Sequence, residues 1–171
     1  RGAGGAGTIF QLTPDGSGRA VVHHFSWDNG DGRIPLTGLF KATNGLFYGT
    51  TSRGGSADYG SVFSFDPGTS NCVVVAGFSW TGGDGWNPLA NLIEASDGVL
   101  YGTAFNGGTN DFGTVYKMNK DRSGYAVVHS FDWPADGAFP QGGLIEATHG
   151  ALYGHSFEGG TNTFGTGFAL N

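Results

Sequence analysis

The sequence predicts an all-β, β-propeller-like fold of four-stranded antiparallel blades in three tandem repeats. A Gly-Thr/Ser-x-Phe/Tyr signature begins at Gly7, Gly60, Gly113 and Gly165, which gives offsets of 53, 53 and 52 residues. The chain of 171 residues contains 34 Gly, 14 Phe, 6 Tyr and 4 Trp, a balance of turn formers and large side chains typical of antiparallel β architectures. No segment has the apolar period of a helix.

Each period contains four short segments rich in β-branched and aromatic residues, separated by Gly, Pro, Asn or Asp. In the second period these predicted strands are 61–65, 72–79, 90–95 and 99–104. Asn44-Gly45 and Asp97-Gly98 stand between the third and fourth segments, where they predict two-residue hairpins. Asp66-Pro67-Gly68 is an equally good closure for the first hairpin.

We interpret residues 1–171 as one tandem-repeat β domain. Its repeats are approximately 7–59, 60–112 and 113–164, followed by an extra strand in 165–171. The resulting thirteen strands are one more than three blades need, and propellers typically close with four to eight blades. Because Arg1 also lies within a repeat linker, we expect either a longer parent chain or a ring completed by other chains.

The ordered motifs Gly-Gly, Gly-Thr-Val-Tyr, Phe-x-Trp, Asp-Gly-x-x-Pro, Leu-Ile-Glu-Ala and Leu-Tyr-Gly resemble the GloVer tandem repeat over essentially all of residues 1–170. This resemblance implies a secreted bacterial protein with an extracellular, cell-surface or periplasmic location. It implies no activity. The chain departs from the family in having three periods and no anchor segment, and its third repeat is one residue shorter between Trp133 and Asp136.

The composition limits the kinds of partner that we expect for this chain. With a net charge of −6 and only 13% charged residues, the chain has no broad positive field, so a nucleic-acid partner is not expected. No apolar run approaches the ~18 residues that span a bilayer, and we expect no membrane insertion by this segment. The single Cys72 excludes an intrachain disulfide and is interpreted as a small hydrophobic residue within a strand.

Alternate connections of a blade emerge on the same side, so one face should gather the unusual loop residues. The candidate ligand or partner-binding residues are Trp27, Asp31, Arg33, Trp80, Asp84, Trp86, Asn87, Trp133, Asp136 and Phe139. An indole can stack on a sugar while a carboxylate accepts hydroxyl hydrogen bonds. The alternative, which we favour for the Trp and Asp series, is that each Trp packs between blades and each Asp shapes a turn.

The residues before the repeated Pro vary between repeats, as Arg33-Ile34, Trp86-Asn87 and Ala138-Phe139. Such a mixture of Arg, Trp and Phe is typical of a protein interface. It is equally compatible with incidental variation covered by a neighbouring loop.

The sequence favours neither metal nor cofactor binding, and no catalytic residue is predicted. Only His23 and His129 share a repeat position, two blades apart, and a zinc site needs several converging ligands. The run Asp28–Gly32 resembles part of a calcium loop but is not repeated. Glu94 and Glu146 could form a hydrolytic pair, yet Lys41 replaces them in repeat one, which suggests tolerant, solvent-exposed positions.

Three functional hypotheses follow. The first is a non-catalytic, extracytoplasmic propeller module that binds a protein or a glycan through the loop face, and that belongs to an oligomer or larger complex. The second is a secreted glycan-active enzyme whose further blades complete an active site. The third is a structural spacer or assembly repeat, a role that low charge and high Gly content would suit.

Overall fold

The computed structural model describes residues 5–27, 30–81 and 83–171, and these residues form an all-β arrangement without a helix or a closed barrel. The strands are β1 (Thr8–Leu12), β2 (Arg19–His24), β3 (Phe40–Lys41), β4 (Phe47–Thr51), β5 (Ser61–Asp66), β6 (Asn71–Gly77), β7 (Gly85–Trp86), β8 (Ile93–Glu94), β9 (Leu100–Ala104), β10 (Asn106–Gly107), β11 (Thr114–Met118), β12 (Ala126–Ser130), β13 (Ile145–Glu146), β14 (Leu152–His155) and β15 (Gly167–Leu170).

Two complete four-stranded sheets occupy the middle of the chain, with the orders β3-β4-β5-β6 and β8-β9-β11-β12. Every pairing in them is antiparallel. Before them, β1 and β2 pair as the equivalents of the last two strands of such a sheet, and after them β13, β14 and β15 form the equivalents of the first three. The thirteen strands expected from the sequence are therefore all present.

The four sheets pack in chain order, with one hydrophobic cluster between each neighbouring pair. The first cluster joins Ile9 and Phe25 to Phe63 and Phe65. The second contains Tyr48, Val62, Phe78, Leu92, Leu100, Tyr116 and Met118. The third contains Val115, Phe131, Leu144 and Leu152. Each sheet is thus stabilised through its immediate neighbours, as in other repeat proteins.

The glycine of the Tyr-Gly motif is explained by the space available beside it. A Cβ built on Gly49, Gly102 or Gly154 would lie 2.5–2.7 Å from the aromatic ring of Phe63, Tyr116 or Phe168 on the adjacent strand. None of the three has a left-handed backbone. The glycine is therefore required because the ring lies over the strand.

The hairpins between the third and fourth segments differ from the prediction. Ala42 and Leu46 are joined by a hydrogen bond across a three-residue loop, and the Gly45 N–H also donates to the Ala42 carbonyl. Gly45 is left-handed with a φ of 86°. The loop is longer than expected because a turn followed by one left-handed glycine needs only one such residue, whereas a two-residue type I′ loop needs two.

The predicted segment 90–95 is also shorter in the structure, where only Ile93–Glu94 pairs as β8. Residues 90–92 are not in a strand, and the Ala90 carbonyl accepts a hydrogen bond from the Thr50 hydroxyl at 3.2 Å. A small ladder between β7 and β10, which was not predicted from the sequence, joins the two loops on one side of the second sheet. The described residues contain no helix long and apolar enough to span a membrane.

Candidate functional site

Two sets of connections meet on one side of the sheets, as the strand alternation predicted. One set comprises the described parts of loops 25–39, 78–92 and 131–144, and the other comprises loops 52–60, 105–113 and 156–166. Arg33 pairs with Arg53 across them in repeat one, and Ala138 pairs with Glu158 in repeat three. We call this surface the loop face.

The Phe-x-Trp motif places its two aromatic residues in opposite environments. Phe25, Phe78 and Phe131 are at most 1% exposed and belong to the three hydrophobic clusters. Two residues later, Trp27, Trp80 and Trp133 are 62%, 67% and 42% exposed. The expectation that these Trp residues pack between blades was wrong, because the Phe of each motif already occupies that position.

The Asp of the Asp-Gly motif is held by neighbouring groups. Asp31 Oδ2 lies 2.8 Å from His23 Nε2, and Asp136 Oδ2 lies 2.7 Å from His129 Nε2. Asp31 is only 8% exposed. These two pairs fasten the loop face to the last strand of a sheet, which fits a structural role better than a ligand contact.

The second repeat has Ala76 at the histidine position, and its Asp84 lies 3.4 Å from the Ser79 hydroxyl instead. The His–Asp pairs were not predicted from the sequence. The signal was available, since the only repeat position shared by two histidines belongs to the two repeats that form the pair.

Arg33 lies in the centre of a small network on the first repeat. Its guanidinium is 3.9 Å from the centroid of the Trp27 ring and forms a bidentate ion pair with Asp58, with an Nε–Oδ1 distance of 3.0 Å. The hydrogen bonds from Arg33 dominate the environment of Asp58 and lower the pKa of this carboxyl. Arg33 thus supports one side of Trp27 and leaves the indole largely exposed.

The other variable residues connect loops to one another. The Trp86 indole N–H donates to Asp111 at 3.2 Å, and its ring meets Tyr59 edge-on. Phe139 stacks on Phe105 with 5.0 Å between centroids. These side chains are half-buried, which agrees with cover by a neighbouring loop, the alternative considered for this variation.

A shared backbone conformation explains the position directly before the repeated Pro. Ile34, Asn87 and Phe139 are left-handed, with φ of 57–59°, an unusual state for residues other than glycine. The Asn87 N–H donates to the Tyr59 carbonyl at 2.8 Å, and the Asn87 carbonyl accepts from the Phe105 N–H at 3.1 Å. The conformation is held because it joins the loops of successive repeats.

The acidic residues considered for hydrolysis have structural partners. Both oxygens of Glu94 accept hydrogen bonds from Thr43, and both oxygens of Glu146 accept them from Ser96. The Glu94 side chain is only 5% exposed and also pairs with Lys120. The interpretation as tolerant and solvent-exposed positions was therefore wrong for Glu94 and Glu146, whereas Lys41 is exposed as expected.

Electrostatics favour the ionised form of Glu94. Its burial opposes ionisation, but the hydrogen bonds from Lys120 and Thr43 outweigh that effect and lower the pKa of this carboxyl. Among the described residues there is no group of three or more His, Cys, Asp or Glu that could hold a metal ion. Asp28 and Asn29, part of the run that resembles a calcium loop, lie outside the described residues.

Cys72 lies in β6 as a half-buried free thiol against the first hydrophobic cluster, as expected from the sequence. Burial, with a contribution from nearby Asp31, raises the pKa of this thiol to about 12. The thiol therefore remains protonated and poorly nucleophilic at neutral pH.

A family model for the Gloeobacter/Verrucomicrobia repeat matches residues 1–171, the whole chain. The chain belongs to this repeat family. The repeat frame of motifs, glycines and hairpins described above is thus a property of a Gloeobacter/Verrucomicrobia repeat protein. No curated protein matches the sequence.

Among solved structures, this repeat protein is similar to the extracellular domain of a protein described as a hybrid two-component system, BT3049 from B. thetaiotaomicron. The TM-score is 0.51 and the sequence identity is 16%, over 81% of this chain and 16% of that one. The likeness concerns the fold. The repeat protein spans about one sixth of the length of that neighbour.

Proposed function

We propose that this chain is an extracellular, non-catalytic β-propeller module that binds an uncharged glycan through Trp27, Trp80 and Trp133. The exposure of one indole per repeat on the loop face, 62%, 67% and 42%, carries this conclusion. An exposed indole offers a flat apolar face on which a sugar ring can stack, together with an N–H that can donate a hydrogen bond.

The surroundings of the three indoles favour a sugar over a large apolar partner. The first indole lies beside a pocket of about 230 Å³ lined by Ser26, Trp27, Arg33 and Asp58, which is small and polar apart from the indole itself. The Asp58 side chain is 57% exposed, so its carboxylate is accessible to sugar hydroxyls. A net charge of −6 would repel an acidic polysaccharide.

A propeller arrangement is supported by the order of strands and by the first strands of the sheets. The residues leading into β3, β8 and β13, together with those strands, line one common groove of about 650 Å³. In a propeller, the first strands of successive blades face a central channel. An extracellular location is supported by the extracellular domain that shares this fold.

The binding proposal can be tested by affinity electrophoresis of the purified chain in gels that contain a mixed-linkage β-glucan, a galactomannan or a dextran. We expect retardation in at least one gel, and a loss of more than tenfold in affinity for the triple variant Trp27→Ala, Trp80→Ala, Trp133→Ala. Each single variant should lose less, because three equivalent contacts act together on a polymer.

Phe10→Ala is the matched control, since Phe10 is an aromatic residue 54% exposed on strand β1 rather than on a loop. Retardation unchanged in the triple variant would refute the site. Failure of the native chain to bind any uncharged polysaccharide would leave a protein partner as the better explanation of the exposed indoles.

A further inference from the structure

The hairpins β3-β4, β8-β9 and β13-β14 are joined in chain order by two equivalent sets of hydrogen bonds to a glutamate. We call each set a carboxylate clamp. Thr43 donates its backbone N–H and its hydroxyl to the two oxygens of Glu94, at 2.8 and 2.6 Å. One repeat later, Ser96 donates the same two groups to Glu146, again at 2.8 and 2.6 Å. In each case the hairpin of one sheet donates two hydrogen bonds to a glutamate on the first strand of the next sheet.

The third repeat carries the donor half of this clamp without an acceptor. Thr148 follows Ala147 as Thr43 follows Ala42 and Ser96 follows Ala95. It is exposed, and neither its N–H nor its hydroxyl has a partner among the described residues. Since the hairpin has the same Gly150-to-Ala147 hydrogen bond as its counterparts, the donors are already oriented.

Loop 156–166 of the third repeat also lacks contacts that the equivalent loops of the first two repeats make. Tyr59 and Phe112 each contact an aromatic residue of the following repeat, Trp86 and Phe139 respectively. Their counterpart Phe164 is 90% exposed. The carbonyls of Tyr59 and Phe112 accept backbone hydrogen bonds from the following repeat, whereas that of Phe164 accepts none from the described residues.

Glycine–proline packing repeats the pattern. A Cβ on Gly60 would lie 2.7 Å from Pro88, and one on Gly113 would lie 2.5 Å from Pro140, in each case a proline of the loop that leads to the next sheet. Gly165 has no proline beside it. The end of the third repeat therefore presents a donor pair, an aromatic ring and a glycine surface that two other copies in this chain use to hold the next repeat.

The chemistry of the clamp restricts what can occupy this end. In both internal clamps the acceptor of these two donors is a carboxylate, whereas the first repeat of this chain has Lys41 at that position. An ammonium group is a donor without an acceptor, so a second copy docking in the same direction would place donors against donors.

We propose that the exposed end of the third repeat is a docking surface for a fourth repeat of the same type, one with Glu or Asp where the first repeat has Lys41, and that it rejects a second copy of this chain. The surface continues the interface that the chain forms twice internally. A proline packs on Gly165, the residue before it donates to the Phe164 carbonyl, and the carboxylate accepts from Thr148.

The test extends the chain after Asn171 with a copy of residues 120–171. This continues the repeat in register, because Asn171 occupies the position of Asn119. The matched control carries Glu146→Lys in the appended copy alone. Hydrogen exchange of the Thr148 amide, measured by NMR, should slow at least tenfold in the first extended chain and return to its original rate in the control.

Equal protection of Thr148 by both extensions would overturn the role of the carboxylate. An appended segment that stays unprotected throughout, or that folds without slowing the Thr148 amide, would overturn the docking surface itself. Within the unextended chain, Glu94→Lys should speed exchange of the Thr43 amide, and unchanged exchange there would also contradict the clamp.

Self-association provides the second measurement. Light scattering of the native chain should give the single-chain mass of 17.7 kDa at every concentration. A multimer that dissociates in Thr148→Val would show that a second copy is accepted, contrary to the proposal. Neither measurement involves a glycan, so a failure here leaves the binding role of the loop face unaffected.

Discussion

The ring of Phe78 meets the ring of Tyr116 edge-on, with 5.1 Å between their centroids. Both residues are almost completely buried between the two four-stranded sheets. The pairs Phe25–Phe63 and Phe131–Phe168 repeat this contact at 5.1 and 5.0 Å. An equivalent aromatic pair thus recurs at each of the three sheet interfaces, and the first residue of every Phe-x-Trp motif supplies one of its members.

The two aromatic positions of Phe-x-Trp should therefore differ sharply in their effect on stability. Phe78→Ala removes a buried ring and leaves a cavity, which costs about 3–5 kcal/mol in the free energy of unfolding. Trp80→Ala removes an exposed side chain and should change that free energy by less than about 0.5 kcal/mol. Urea unfolding followed by far-UV circular dichroism measures both, and comparable losses would contradict the division of roles.

Gly102→Ala should destabilise the chain because its new methyl group would meet the Tyr116 ring, with 2.6 Å to the hydroxyl oxygen. Overpacking of this kind costs about 1–3 kcal/mol. Gly167→Ala is the matched control, since nothing lies within 4 Å of its Cβ position and its backbone is not left-handed. The same urea series compares the two, and equal midpoints would show that the sheet relaxes around the methyl group.

Stability should depend on pH through Glu94, whose pKa is lowered in the folded chain. A carboxyl with a lowered folded-state pKa contributes stability above its ordinary pKa and loses that contribution as the pH falls through the folded-state value. The native chain should thus lose more stability than Glu94→Gln between neutral pH and about pH 3. Thermal unfolding across this range tests the difference.

Glu158→Gln is the control for that series, because Glu158 lies exposed on a loop. Parallel pH profiles for the native chain and Glu94→Gln would mean that the clamp does not depend on the charge of the carboxylate.

Cys72 should resist alkylation while the chain is folded. Burial raises its pKa to about 12, so the reactive thiolate is scarce at pH 8. Iodoacetamide labelling followed by intact mass should proceed at least tenfold faster in 6 M urea than in buffer. Rapid labelling of the folded chain would place the thiol in a more open position than β6 provides.

The repeat frame could be predicted because its signals are local. Turn residues and alternating apolar segments predicted the thirteen strands of the four main sheets in their order along the chain. The same pattern predicted that Cys72 lies within a strand. The environment of the Trp residues could not be predicted in this way. Phe25 and Trp27 are both large and apolar, and the difference between them is set by tertiary packing, which buries Phe25 among Ile9, Phe63 and Phe65.

Contacts between residues far apart in the sequence were also beyond sequence reasoning. Glu94 meets Thr43 at a separation of 51 residues, and Arg33 meets Asp58 at a separation of 25. No local pattern brings such residues together. Substitution of Lys41 at the glutamate position suggested tolerance, whereas the structure shows a partner that only the later repeats have.

The left-handed residues before the repeated prolines have a consequence for how such chains can diversify. Ile34, Asn87 and Phe139 connect neighbouring loops with their main-chain atoms, and their side chains are aliphatic, polar and aromatic respectively. Such a connection depends on a left-handed backbone and not on the chemistry of the side chain. Whole segments could therefore be exchanged or recombined at these points, and new recognition surfaces could be built from old ones without redesigning the connection.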